Sequence, residues 1–149
     1  MESLNLPKYT FKIKRIDNKY TIFDCIRKRY VALTPEEWVR QNVVQYLITE
    51  KNVPQTRISN ETSITFNGLS KRCDTIVYDK NFAPLIIVEY KAPTIPLSQA
   101  TFDQVAVYNL KLDVKYFLLS NGMQHIFCKV DVAAKRFEFI SEIPDYSEL

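Results

Sequence analysis

The run Leu85-Ile86-Ile87-Val88 constrains this chain more than any other feature. A short, unbroken apolar run reads as a central strand buried on both faces of its sheet. A sheet covered on both sides needs a layer above and below it, so the expected class is α/β. The strand ends in Glu89-Tyr90-Lys91, and Pro93 and Pro96 stop it.

The rest of the chain fills in the layers. Thr34-Pro35-Glu36-Glu37 supplies an N-cap, a proline at the first helical position and a glutamate placed for a capping box. The helix should run to about residue 50, with Val39, Val43, Tyr46 and Leu47 as its apolar stripe. Ser98 should cap a second helix reaching about Leu112. Ser63–Phe66 and Lys71–Tyr78 flank Asn67-Gly68 as a hairpin. Tyr116–Leu119 and Ile126–Val130 read as strands around Asn121-Gly122, and Arg136–Ile140 as a final edge strand. Upstream, residues 8–32 alternate like strands, with a turn at Asp17-Asn18-Lys19 and a returning strand from Tyr20 to Ile26. With 149 residues one core is expected. The division is an N-terminal β-hairpin extension over 1–33, a core over 34–130, and a C-terminal strand and tail over 131–149.

Composition excludes several functions. Gly68 and Gly122 are the only glycines, so no glycine-rich loop can wrap a nucleotide phosphate. Cys25, Cys73 and Cys128 are odd in number and widely spaced, fitting neither a disulfide framework nor a zinc site. The N-terminus lacks the basic and apolar regions of a signal peptide, and no apolar run approaches a membrane span. A cytoplasmic chain with no membrane partner is expected. The net charge of +3 says little, but residues 1–29 hold eight Lys or Arg against three acids. That face could meet phosphate or could simply be solvated.

One constellation carries chemistry. Side chains two apart on a strand share a face, so Glu89 and Lys91 project together, their Cα atoms roughly 7 Å apart. Asp74 shares a face with Ile76 and Tyr78 on the preceding strand. Antiparallel pairing would let Asp74 meet Glu89, leaving Cys73 on the opposite face. Three acid-x-Lys triplets occur, at Asp17, Glu89 and Asp113, but only the second closes a buried strand with a strand carboxylate upstream. Two carboxylates and an ammonium suit phosphodiester hydrolysis with a hard divalent cation, normally Mg²⁺. A simple ion pair at a strand end is the alternative. Glu36 falls on the helical face of Val43 and Leu47, where it invites a metal or a basic partner; contact with the helix N-terminus explains it equally well. Gln104 and Tyr108 are helical neighbours that could contact phosphate or fix Lys91, and Tyr108 could equally be core. His125 has no identifiable catalytic partner, and Trp38 reads as core.

These residues resemble the PD-(D/E)XK nuclease superfamily, and Gln104-Val105-Ala106-Val107-Tyr108 is similar to an element of its RecB-like branch. More narrowly, the stretches Thr34–Gln41, Asn67–Asp74, Val88–Pro93 and Ser120–Gly122 resemble the N-terminal nuclease domain of type I restriction enzyme R subunits. The resemblance covers roughly residues 30–130. It implies a restriction-endonuclease-like mixed sheet flanked by helices. It implies Asp74 and Glu89 as metal ligands, Lys91 as catalytic lysine, Glu36 as an acid near the metal, and Gln104 with Tyr108 as a supporting pair. The cofactor would be Mg²⁺, with Mn²⁺ able to substitute, and the substrate DNA. Cys73 stands where the motif name has proline. R subunits also carry an ATP-driven translocase, for which this chain has no P-loop, so a separate motor or restriction subunit is an expected partner. A homodimer is expected if both strands of DNA are cut. A non-cleaving module that grips nucleic acid or protein is the rival reading.

Overall fold

The computed structural model describes residues 1–149. Three short antiparallel strands come first: β1 (Ile13–Ile16), β2 (Lys19–Asp24) and β3 (Arg29–Ala32). The expected hairpin is therefore a three-stranded sheet, and residues 8–12 precede its first strand. Asp17 and Asn18 both take positive φ (50° and 63°), the tight turn whose twist suits a hairpin. The second turn is held by Asp24. Its Oδ1 accepts the Ile26 and Arg27 amides at 2.7 and 3.1 Å, and Lys28 closes the turn at a φ of 55°.

Helix α1 (Pro35–Glu50) follows, then β4 (Ile58–Phe66), β5 (Leu69–Tyr78), β6 (Pro84–Tyr90), α2 (Gln99–Leu112), β7 (Tyr116–Ser120), β8 (His125–Asp131) and β9 (Arg136–Ile140). Strands β4 to β9 form one six-stranded sheet in sequence order. Only β6 and β7 pair in parallel, and α2 supplies the crossover that a parallel pair requires. Thr34 caps α1 by accepting the Glu37 amide at 3.0 Å. Glu37 does not return the bond as a capping box would; its carboxylate turns inward to arginines, described below. Ser98 caps α2 by accepting the Thr101 amide, and Asp113 ends it in the left-handed conformation.

Each face of the sheet is covered. Val39, Val43 and Leu47 of α1 pack on Ile86, Val88, Leu118 and Phe127. Phe102 and Ala106 of α2 pack on Phe117, Leu119 and Cys128, while Leu112 meets Ile76 and Ile87. Ile86, Ile87 and Val88 are wholly buried, each worth roughly 1.5–3 kcal/mol relative to exposure. This is the double-sided central strand expected from the apolar run. The cysteines are unpaired, and no helix is long and apolar enough to cross a membrane.

Candidate active site

The site forms where β5 parts from β6. Their ladder runs through Val77↔Ile86, Ile76↔Ile87 and Thr75↔Val88 and ends there. The next rung would set Asp74 opposite Glu89. Instead the Tyr90 amide donates to Asp74 Oδ2 at 2.9 Å, so a side chain replaces the main-chain rung. On its other edge β5 pairs with β4 at Asn60↔Thr75 and Thr62↔Cys73, skipping Glu61 and Asp74. Glu61 there takes a φ of 58°, a left-handed conformation that costs a non-glycine residue roughly 1–2 kcal/mol. This irregularity breaks the alternation along β5. Cys73, expected opposite Asp74, is buried in the same cluster as Ile76 and Ile87, on the α2 side of the sheet.

Asp74 is half-buried and Glu89 is buried. Their carboxyls lie close enough to share a hydrogen bond when one is protonated. Burial, and then the Asp74 charge, push the Glu89 carboxyl up to about 7, against the pull of Lys71. Asp74 Oδ1 and Glu89 Oε2 accept no hydrogen bond within the protein, and neither is sealed from solvent. Each carboxyl thus keeps one oxygen for an outside partner.

The cation already at the pair is Lys71, which sequence reasoning missed. Its Nζ donates to Glu89 Oε1 and lies 5.8 Å from the Tyr108 ring centroid. Burial works against the Lys71 ammonium, but the bond and charge of Glu89 outweigh it and raise its pKa. Lys71 stands three residues before Asp74, and a strand with unbroken alternation would put the two on opposite faces. Only the irregularity at Asp74 brings Lys71 to Glu89. Lys91 lies just past β6, half-buried, its amide fixed by Ser120 O at 2.9 Å. Its ammonium enters none of the molecule's ion pairs.

The remaining candidates divide. Tyr108 borders the site through Lys71 and is 45% exposed, so it is not core. Gln104 is exposed on α2. Glu36 is exposed, and the buried acid of the first turn is Glu37. No third carboxylate, cysteine or histidine joins Asp74 and Glu89. His125 is structural: Nδ1 lies 2.8 Å from Ser120 Oγ and Nε2 lies 3.1 Å from Asn5 O. Trp38 is half-buried, its ring edge-on to Phe11.

Behind the carboxylates lies a closed polar ring. Arg40, almost wholly buried, donates to Asp74 O and to Glu61 Oε1 at 2.5 Å. Its Nε is 3.0 Å from Glu37 Oε2. Beside this ion pair, Glu37 accepts hydrogen bonds from Arg27 at 2.7 Å and from Gln41 at 2.9 Å. Arg27 pairs with Asp24. Asn60 donates to Asp24 at 2.9 Å, Thr75 to Asn60 at 2.6 Å, and the Tyr90 hydroxyl to Thr75 at 2.9 Å. The ring returns to β6 beside Asp74. Burial tends to raise the Asp24 carboxyl, but hydrogen bonds from Arg27 and Asn60 hold it below its usual value.

The chain is a mixed α/β protein whose six-stranded sheet opens at one seam, with an acid from each parted strand at the gap. The same fold occurs in a structure described as a fragment of an HsdR subunit of a type I restriction enzyme from Vibrio vulnificus YJ016. That match has a TM-score of 0.55 and 23% identity, and covers 78% of this chain and 24% of that one. The chain thus spans about a quarter of that fragment's length. No curated protein matches. The chain belongs to the family of type I restriction enzyme R protein N-termini (HSDR_N), whose family model matches residues 35–144.

Proposed function

We propose that this chain is a metal-dependent nuclease domain of the PD-(D/E)XK type that hydrolyses DNA phosphodiester bonds in a cytoplasmic restriction context. The observation that carries the reading is the convergence of Asp74 and Glu89 at the parted seam, each with a free carboxylate oxygen. Two carboxylates with open positions fit Mg²⁺, which keeps several waters and commonly takes one or two protein ligands. Mn²⁺ would serve the same site. When bound, such an ion polarises a phosphoryl oxygen and acidifies a water.

The chain's own residues do the rest. Asp74 is aimed by the Tyr90 amide, and its main chain is gripped by Arg40. Lys91, free of ion pairs, is the group available to steady the charge that grows on the phosphorus oxygens in the transition state. Lys71 holds Glu89 through Oε1, and its positive charge would oppose a divalent cation at the free Oε2. Glu36 has no place in this scheme as a ligand. Gln104 and Tyr108 would border the substrate on the α2 side. An ATP-driven motor or another restriction subunit would deliver the DNA.

The Lys71–Glu89 ion pair also favours a second reading, a non-cleaving DNA-binding module whose carboxylate is permanently neutralised. The test is incubation of supercoiled, linear and single-stranded DNA with Mg²⁺, Mn²⁺ or EDTA. The nuclease reading expects cleavage with metal, none with EDTA and none by Asp74→Asn. Binding without cleavage under every condition would leave the second reading.

A further inference from the structure

We propose that the outward face of the β1–β2–β3 sheet is a binding surface for the phosphodiester backbone of duplex DNA. It rests on the reading of DNA as the substrate and adds the surface that holds it. The register fixes the faces. Lys14 pairs with Thr21, Thr21 with Ala32, and Phe23 with Tyr30, so these residues share one face. The other face turns inward at the end of β2, where Ile22 is wholly buried and Asp24 belongs to the polar ring, while Ile13, Arg15 and Tyr20 on it stay exposed.

The outward face is built from cations laid on aromatic rings. Lys12 Nζ lies 5.7 Å from the Phe23 ring centroid, and Lys14 Nζ lies 4.4 Å from that of Tyr30. The two rings meet edge to face at 5.2 Å. Lys14 therefore reaches across β2, over the small Thr21, to rest on β3. Such packing limits the wandering of a long side chain, so less entropy is lost when its ammonium meets a phosphate.

Charge complementarity selects the occupant. Of the eight Lys and Arg among residues 1–29, only Arg27 forms ion pairs, and those face inward to Asp24 and Glu37. The other seven enter no ion pair, and of these Lys12, Lys14 and Lys19 stand on the outward face by register, whereas Arg15 and Arg29 fall on the other. Three unpaired ammonium groups on one face of the sheet suit the evenly charged edge of a duplex. It carries no fork of donors for base edges, so it would position DNA without reading sequence. The sheet is also tied to the candidate site. Asp24, Arg27, Glu37 and Arg40 link it in series to the main chain of Asp74. DNA held on the sheet is thereby held in fixed relation to the carboxylates.

The test is fluorescence anisotropy of a labelled duplex in EDTA over a salt series. The proteins are wild type, Lys12→Gln/Lys14→Gln, Lys12→Arg/Lys14→Arg, and a control of equal net charge, Lys129→Gln/Lys135→Gln. Each phosphate contact contributes about 0.9 to the slope of log affinity against log salt on duplex DNA. The Lys12→Gln/Lys14→Gln protein should lose nearly 2 in slope and about tenfold or more in affinity at low salt. The arginine pair should keep the wild-type slope, which separates charge from folding, and the control should match wild type. An unchanged slope in Lys12→Gln/Lys14→Gln, or an equal loss in the control, overturns the surface. So does a wild type that binds no duplex, as it would if an acidic protein were the partner. A Lys12- and Lys14-dependent slope in a protein that neither binds Mn²⁺ nor cleaves DNA would support the surface and reject the nuclease. Metal-dependent cleavage with an unchanged slope would do the reverse.

Discussion

Lys91→Ala isolates one ammonium that no carboxylate needs. Because Lys91 enters no ion pair, its loss should leave folding and DNA affinity near wild type while cleavage falls by about 100-fold or more. Single-turnover cleavage beside an anisotropy titration checks this, and equal cleavage by both proteins would remove Lys91 from the chemistry. Lys71→Met should behave differently. With the internal cation gone from Glu89, Mn²⁺ should bind about tenfold more tightly by calorimetry, because no ammonium remains beside the site to repel it. An unchanged or weaker affinity would show that Lys71 does not compete for the site. Glu89 itself sets a pH dependence. Its folded-state carboxyl is raised from 4.5 to about 7, so the metal-free folded protein holds a proton that the unfolded chain releases. Stability contributed by this group is therefore present at low pH and lost as pH rises from about 4.5 to about 7. Asp74→Asn removes a major cause of the shift and keeps an acceptor for the Tyr90 amide. It should flatten that slope and gain on the order of 1 kcal/mol in urea melts near neutral pH with EDTA. A loss of stability would make Asp74 a structural partner.

At the scale of elements, the polar ring joins α1, β2, β4, β5 and β6 through side chains that are nearly all buried. Arg40→Met would strand Glu37 and Glu61 beside a dry interior. Breaking a buried network from one side typically costs about 3–5 kcal/mol, and chemical denaturation should show a loss of that size. A change under about 1 kcal/mol would mean that Arg27 and Arg72 suffice to hold the acids. This ring also explains what could and could not be read in the sequence. Strand β6 was legible because burial on both faces leaves an unbroken apolar run, and the meeting of Asp74 with Glu89 followed from antiparallel pairing. The helices were legible from Thr34 and Ser98, whose caps are local. The choice between Glu36 and Glu37 was not. Helical spacing sets Glu36 with Val43 and Leu47, but Arg27 arrives from a turn of the N-terminal sheet and pairs with Glu37. Cys73 and Lys71 were misplaced or missed because the left-handed Glu61 and the lost rung at Asp74 break the period on which strand reasoning depends.

For the whole molecule, the proposed function joins a divalent-cation site at the parted seam to a basic sheet that would face DNA, within a family of restriction enzyme R protein N-termini. A ligand that binds only the folded state stabilises it by mass action, by about 2.7 kcal/mol at a hundred times its dissociation constant. The most direct test is a thermal melt of wild type and Asp74→Asn, each with EDTA and with several dissociation constants of Mn²⁺. Mn²⁺ should raise the melting temperature of wild type by several degrees, and Asp74→Asn should lose most of that increment while melting higher than wild type in EDTA. Equal shifts in both proteins, or no shift in either, would contradict a metal site built on Asp74 and Glu89.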